Sequence, residues 1–348
     1  MNDLLKSQSY LKLRPYRAAY FMGNEEEKFL IKSVSENFET HFDSYWHQFG
    51  YEIGGPVCYA FTKWLLEAIE RENDITDIAF IARDGYLLKK IYEQLPHKRA
   101  VNAHYIYAPR IVKESCFKDS QKHMQYKTYL QHTHRWGKGA VATVDTITTL
   151  FSGQKLIESS IAQPVIGYCW GIIGADRKLQ KGLKVHTFQP ERYHTIQNWN
   201  LMEFIMTSPE PPIRSIENES PVYYLGNSFE KERAAIFEEI EKGVKEFVGH
   251  ILNSSGPLPT FSNQLITKWV NDFLEHPTEE DRAAFRSVMF SITADHSDCI
   301  PLNPFVPLQA TSFSTIKDKI WWWSQRHPFV YSILHSANQC FRRLRGQK

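Results

Sequence analysis

The sequence predicts an α/β protein with a Rossmann-like parallel sheet, helices on both faces of that sheet, and a helical region towards the C-terminus. Four apolar stretches rich in β-branched or aromatic residues have the composition of strands buried on both faces. They cover residues 78–82, 104–108, 140–144 and 165–173. Amphipathic helical segments lie between them, and this alternation favours parallel strands joined by right-handed crossovers.

The overall composition is that of a soluble globular protein. Of the 348 residues, 42% are hydrophobic and 23% are charged, and no run of about 18 apolar residues is long enough to span a bilayer. The N-terminal stretch lacks the apolar core and cleavage site of a secretion signal, so we expect a cytoplasmic protein. The five cysteines are scattered and never in C-x-x-C spacing, which argues for reduced thiols rather than disulfides or structural zinc.

We expect four regions along the chain: an N-terminal arm, the α/β domain, a helical region, and an aromatic and basic C-terminal segment. Their bounds are 1–40, 41–225, 226–310 and 311–348. The last segment has three consecutive tryptophans and ends in several arginines, a combination typical of an interfacial membrane segment or a partner-docking helix. Alternatively, the tryptophans cover the core and the arginines form a solvated end.

Helix boundaries and chain breakers are visible at three places. In FGYEIGGPVCYAFTKWLLEA, the glycines at 54 and 55 and Pro56 predict the start of a long helix, since proline in a first turn sacrifices no hydrogen bond. The prolines of TSPEPPIRSIENES exclude regular helix or central strand. Thr278, followed three residues later by Asp281, is a weak match to a capping box.

Charged residues follow three of the predicted strands. Arg83 and Asp84 come just after the first strand, Arg110 after the second and Asp145 after the third. Ligands of open parallel sheets bind beyond the carboxyl ends of the strands, so these four side chains are expected to converge on one edge.

The residue types at this edge suit a phosphate-bearing ligand. Two arginines can bind phosphate through paired N–H groups, and two aspartates can hold Mg²⁺ or transfer protons. The run after Asp145 places Thr146 and Thr149 where a helix should begin, and the start of a helix attracts anions. Gly85, which follows Asp84, is the remaining residue predicted to contact the phosphate. The alternative is structural: Arg83 pairs with Asp84 or Asp145, and the hydroxyls only cap the helix.

Several segments together resemble a bacterial family of haloacid-dehalogenase-like predicted hydrolases associated with capsule and lipopolysaccharide O-antigen biosynthesis. The resemblance runs from about Phe49 to about Phe290. It is carried mainly by IAFIARDGYLLKKIYEQL, with YIYAPR, VATVDTITTLFSGQ and the Glu203 segment LMEFIMTSP in support. It implies the same α/β fold and a site at the end of the first strand.

Haloacid dehalogenases place an aspartate nucleophile at the end of the first strand and an acid/base aspartate two residues later. By resemblance, Asp84 matches the second aspartate, and Ala82 then stands at the nucleophile position. In the other alignment Asp84 is itself the nucleophile, and Tyr86 then stands at the acid/base position. Asp145 matches the metal-binding acid of a later strand. Pro109 stands where the family has a hydroxyl.

The predicted function is therefore binding of a phosphate-bearing glycan or nucleotide sugar, with hydrolysis or transfer of its phosphoryl group. Asp84 and Asp145 are the predicted catalytic residues and Mg²⁺ ligands. The resemblance implies work in surface polysaccharide assembly on a phosphorylated sugar, nucleotide sugar or lipid-linked glycan, beside a glycosyltransferase, with peripheral contact to the inner membrane. The alternatives are a glycosyltransferase that uses a nucleotide sugar, or an inactive scaffold.

Two further clusters look like fragments of metal sites. His132 and His134 alternate in QHTHRW as a metal pair on a strand would, and DHSDC at 295–299 collects several ligand types. Metal sites need ligands from separated segments, and neither cluster has an evident partner, so we expect both to be structural or exposed.

Overall fold

A computed structural model describes most of the chain. The described residues are 25–35, 42–148, 151–172, 182–189, 199–224, 228–291 and 299–305. The described residues up to Asn303 belong to one compact unit, and Pro304 and Phe305 belong to a second. Thr149, most of the DHSDC segment and the predicted C-terminal segment 311–348 lie outside the described residues.

The predicted parallel α/β sheet is confirmed. Its strands are β1 (Ile75–Ile81), β2 (Asn102–Ile106), β3 (Ala140–Thr148), β4 (Val165–Ile172) and β5 (Lys184–Thr187). They pair in the order β2-β1-β3-β4-β5, and every pairing is parallel. The sequence did not predict β5, because its four residues are at most half-buried and lack the apolar run that marks a central strand.

Helices alternate with these strands and continue beyond them. In chain order they are α1 (Glu25–Ser35), α2 (Tyr45–Phe49), α3 (Gly55–Arg71), α4 (Gly85–Tyr92), α5 (Arg110–Lys118), α6 (Ser120–Thr133), α7 (Ser152–Glu158), α8 (Trp199–Ile205), α9 (Ser228–Asn253), α10 (Asn263–Glu275) and α11 (Glu279–Phe285). The capping box of α11 is confirmed, because Thr278 and Asp281 each accept a hydrogen bond from the other's backbone N–H.

The predicted start of the long helix needs correction. A π-helical turn, Gly50–Gly54, joins α2 directly to α3, so the chain is helical from Tyr45 to Arg71. The two glycines serve packing rather than helix initiation. A side chain at Gly54 would overlap that of Val244 on α9, and one at Gly55 would overlap the ring of Phe247 on the same helix.

Helices cover both faces of the sheet, as predicted. On one face, α5, α6 and α7 bury Tyr126, Tyr129 and Leu156 against β1, β2 and β3. On the other, α3 and α4 pack against the sheet; Phe61 on α3 lies 5.7 Å from the ring of Trp170 on β4. The sheet is therefore buried on both sides, and its carboxyl edge is where polar groups can gather.

The proline-rich region forms neither helix nor central strand, as predicted. It contains a separate antiparallel hairpin, β6 (Ile213–Glu217) with β7 (Ser220–Tyr223), whose turn residues Asn218 and Glu219 have positive φ. A second short hairpin pairs β8 (Met289–Ser291) with β9 (Cys299–Pro301). Among the described residues, no helix combines the length and apolar character needed to cross a membrane.

Candidate functional site

The strand order places a topological switch point between β1 and β3. The chain leaves β1 towards β2 on one side, whereas β3, β4 and β5 follow on the other. In open parallel sheets with this order, the loops after the two central strands diverge and leave a crevice where ligands bind. The Arg83-Asp84 turn and the end of β3 lie at this crevice.

The turn after β1 is tightly fixed. The backbone of Ala82 still donates to the Ile106 carbonyl at 2.8 Å, so the turn begins in register with the sheet. The Ala82–Arg83 peptide bond is cis. Gly85 starts α4 directly above Phe80, where a Cβ would lie 2.7 Å from the Phe80 carbonyl carbon. Gly85 therefore has a packing role that brings Asp84 down onto the strand.

Three carboxylates meet at the switch point. Asp84 comes from the turn after β1, Asp145 from β3, and Glu203 from α8, which packs against the end of β3. All three side chains are half-buried. The charge of Asp145 raises the proton affinity of both Asp84 and Glu203, a situation that a fold without a functional need would avoid.

The pKa values of these groups are raised. Burial, followed by the charges of Asp145 and Glu203, raises the pKa of Asp84 well above its usual range, against opposing effects of Arg83 and the Thr146 hydroxyl. Burial raises the pKa of Asp145 to about 6, although a hydrogen bond from the Thr146 backbone and the charge of Arg110 oppose the shift. Burial and the Asp145 charge raise the pKa of Glu203 to about 7. The cluster therefore binds protons more tightly than three separate carboxylates would.

The two predicted arginines lie close enough to affect these carboxylates. Arg83 and Arg110 both lower the pKa of Glu203, and Arg110 also lowers that of Asp145. Arg83 donates one hydrogen bond, from Nη1 to Glu230 Oε2 at 2.9 Å. The structural alternative predicted that Arg83 pairs with Asp84 or Asp145; its hydrogen-bonded partner is instead Glu230 on α9. Arg110 is exposed at the first position of α5.

Arg233 ties α9 to the site. Its Nε donates to Glu230 Oε2 at 2.8 Å, so Glu230 receives both Arg83 and Arg233. The remaining donors bind the chain after α8, at the Thr207 hydroxyl and at the carbonyls of Ser208 and Glu210. Burial lowers the pKa of Arg233 to about 10, with the Arg83 charge acting in the same direction. One buried guanidinium therefore holds together the β1 turn, α9 and the segment that follows Glu203.

Tyrosines at the end of β2 hold the same segment. The hydroxyls of Tyr105 and Tyr107 donate to the Glu210 carboxylate at 2.8 and 2.9 Å, and the Tyr107 hydroxyl also lies 3.1 Å from that of Tyr223 on β7. Burial raises the pKa of both β2 tyrosines, so they remain protonated donors. The loop after Glu203 is thus anchored on two sides.

The structure corrects the positions of Asp145 and Thr146. Both were predicted after the third strand, with Thr146 at the start of a helix, but β3 continues to Thr148 and α7 begins only at Ser152. The strand is longer because Ile147 and Thr148 still pair with Gly171 and Ile172 on β4. The Thr146 hydroxyl therefore faces Asp84 and the Met206 sulfur, 3.9 Å away, rather than a helix N-terminus.

A small cleft lies beside Asp145 on the α7 side of the sheet. Its walls include Thr143, Thr148, Gln154 and Cys169. The Cys169 thiol is buried and its pKa is raised, first by burial and then by the Asp145 charge, so it is not a nucleophile. Asp145 is thus one of the residues that line this cleft.

The residues present can be compared with the needs of a metal ion. Within the described ranges, no three His, Cys, Asp or Glu side chains are arranged as a metal site. Asp84 and Asp145 fit Mg²⁺, which commonly binds through one or two carboxylates and takes its other ligands from substrate oxygens and water.

The two histidines of the QHTHRW segment are not a metal pair on a strand. His132 lies near the end of α6 and pairs with Glu219 at 2.8 Å, and His134 follows that helix. The buried ring of His134 packs 5.2 Å from His104, whose Nε2 is 2.8 Å from Asp77. Burial lowers the pKa of His134 to about 4.

No protein-family model and no curated protein matches the sequence. Fold and site together therefore define the class: an open, parallel α/β protein with three carboxylates and two arginines at its switch point.

Proposed function

We propose that this protein is a hydrolase or transferase that acts on a phosphate-bearing substrate with the help of Mg²⁺. The observation that carries the proposal is the convergence of Asp84, Asp145 and Glu203, with Arg83 and Arg110, at the switch point of the sheet. Repelling carboxylates cost stability, and their proton affinities are tuned towards neutral pH, where acid–base catalysis is most effective.

The arginines are suited to hold the phosphoryl group. In the described part of the chain, Arg83 gives one N–H to Glu230, and its side chain is 19% exposed. Its remaining N–H groups can therefore turn towards the crevice while Glu230 fixes the orientation. Arg110 is exposed to solvent, lies close enough to Asp145 to lower its pKa, and can approach the same phosphate oxygens.

Asp84 and Asp145 are the proposed Mg²⁺ ligands. Bound there, Mg²⁺ would neutralise charge on the phosphoryl oxygens and favour the ionised form of Asp84, whose pKa is otherwise raised. Asp84 would then be ionised at neutral pH despite its raised pKa, as a nucleophile must be.

The proposed reaction has two steps. The Asp84 carboxylate attacks phosphorus while the bond to the leaving oxygen breaks, and Glu203, whose pKa is about 7, gives that oxygen its proton. Water then attacks the aspartyl-phosphate, Glu203 takes a proton from it, and phosphate leaves Asp84. In a transferase, a substrate hydroxyl replaces this water. Asp84 would act as the nucleophile in place of Ala82, which cannot.

The identity of the substrate follows from the resemblance to the haloacid-dehalogenase-like family of surface polysaccharide biosynthesis. On that basis we propose a phosphorylated sugar, a nucleotide sugar or a lipid-linked glycan, with a glycosyltransferase as a partner. The same resemblance supports action at the inner face of the membrane, with the C-terminal Trp and Arg segment as the peripheral contact.

A thermal-shift panel tests the proposal. The ligands are Mg²⁺ with a phosphate mimic, sugar phosphates and nucleoside diphosphates, and any ligand that stabilises the protein is followed by a turnover assay. The variants are Asp84→Asn and, as a matched control, Asp74→Asn, which changes an exposed aspartate outside the site.

We expect Mg²⁺ with the mimic to raise the melting temperature of wild type and of the control, and Asp84→Asn to lose turnover while remaining folded. Unchanged turnover in Asp84→Asn would contradict the mechanism. A response to nucleoside diphosphates alone, with sugar transfer, would favour the glycosyltransferase alternative. No response to any ligand would favour a scaffold.

A further inference from the structure

Three cations collect on the α7 side of the proposed site. Arg110 and Lys113 are one turn apart on α5, and Lys155 is in the last turn of the short helix α7. These two helices pack closely, since a Cβ at Gly153 would lie 3.5 Å from the carbonyl oxygen of Ala108, just before α5. Both lysines are half-buried, and Arg110 is exposed.

Among the described residues, no carboxylate lies at ion-pair distance from these three charges. In the part of the chain that the structure describes, none of them forms a salt bridge, whereas Lys89, Lys90 and Lys184 each do. The Lys113 and Lys155 ammonium groups lie over the rings of Phe117 and Phe151, at 5.7 and 6.0 Å.

The cations also repel one another. The pKa of Lys113 is lowered, first by burial and then by the charge of Lys155, with Arg110 adding to the effect and Glu114 opposing it. A half-buried group of like charges is unfavourable by itself, and an anion bound between the helices would relieve the repulsion.

We propose that Arg110, Lys113 and Lys155 bind the second phosphate of a substrate that carries a diphosphate. The inference rests on the proposed function, because Arg110 belongs to both groups: it acts on Asp145 and Glu203 on one side and on Lys113 on the other. Because Arg110 would contact both phosphates, the two phosphates are expected to be adjacent, as they are in a diphosphate. The substrate class is therefore narrowed to nucleoside-diphosphate or lipid-diphosphate sugars, and simple sugar monophosphates are disfavoured.

The test compares inorganic phosphate with pyrophosphate by isothermal titration calorimetry in the presence of Mg²⁺. The double variant Lys113→Gln/Lys155→Gln removes two charges from the proposed position. The control Lys118→Gln/Lys122→Gln removes two exposed charges from α5 and α6. Melting temperatures establish that both variants are folded.

We expect wild type and control to bind pyrophosphate at least about tenfold more tightly than phosphate, since hydrogen bonds to charged groups have this magnitude. The Lys113/Lys155 double variant should lose about tenfold or more in pyrophosphate affinity and keep its phosphate affinity within about twofold. If the double variant binds both phosphate and pyrophosphate as tightly as wild type does, the diphosphate inference is wrong and the proposed function still stands. If wild type binds neither anion, the proposed function itself fails.

Discussion

Substitution of Glu203 by glutamine should stabilise the protein at alkaline pH. The pKa of this side chain rises from its usual 4.5 to about 7 in the folded protein, which corresponds to a cost of about 3 kcal/mol when the group is charged. Because the side chain is partly exposed and shares its environment with Asp145, we expect about half of this cost, roughly 1–2 kcal/mol. Glutamine keeps the shape and removes the charge.

The direction with pH follows from the sign of the shift. A raised pKa means that the folded state binds the proton more tightly than the unfolded state. The stability that proton binding by Glu203 contributes is therefore complete below about pH 4.5 and is lost as the pH rises through about 7. The gain from Glu203→Gln should be about 1–2 kcal/mol at pH 8 and close to zero at pH 4.5.

Urea unfolding of wild type and Glu203→Gln at the two pH values measures this difference. The control is Glu238→Gln, which makes the same chemical change at an exposed position of α9 and should alter stability by less than about 0.5 kcal/mol. A Glu203→Gln protein that is less stable than wild type at pH 8, or whose gain is the same at both pH values, would refute the carboxylate repulsion.

Three other predictions concern α9 and the C-terminal segment. Gly243→Ala should destabilise the protein by about 3 kcal/mol or more, because the new Cβ would overlap the facing backbone of His47 and Tyr51. Gly249→Ala on the same helix meets open space and should stabilise the protein by up to about 1 kcal/mol. Equal effects of the two substitutions in urea unfolding would contradict this packing of α9. Arg233→Met should cost about 3 kcal/mol, since it breaks a buried ion pair and removes one of the two arginines that contact Glu230. A loss below about 1 kcal/mol would contradict the role of Arg233 in joining α9 to the site. Removal of residues 316–348 should abolish binding to anionic liposomes at low salt, and equal binding by the truncated protein would exclude the membrane contact.

Much of the fold could be predicted from the sequence because the main strands are continuous apolar runs. Such runs are typical of strands buried on both faces, and the structure places β1 to β4 within a few residues of the predicted bounds. The edge strand β5 gave no such signal. The end of β3 was predicted too early, because Asp145 and the threonines that follow it look like a turn, although pairing with β4 keeps them extended.

The candidate site was only partly predictable for a different reason. Asp84 and Asp145 follow apolar strands, so their convergence could be read from the pattern alone. Glu230 and Arg233 could not, because they reach the β1 turn from α9, 147 residues away from Arg83 in the case of Glu230. Both charges lie in a strongly periodic helix where they look like surface residues. Glu203 was noted only as part of the resemblance, and only the packing of α8 against β3 brings it to the carboxylates.

The most direct test of the central claim is titration of Mg²⁺, with a phosphate mimic present, into wild type and Asp84→Asn at pH 7 in two buffers of different ionisation enthalpy. Because the pKa values of these carboxylates are raised and Mg²⁺ binds their ionised form, we expect wild type to bind Mg²⁺ with release of protons, and Asp84→Asn to bind far more weakly with less proton release. Absence of binding by wild type, or equal binding and proton release by Asp84→Asn, would contradict a phosphate and Mg²⁺ site at the switch point.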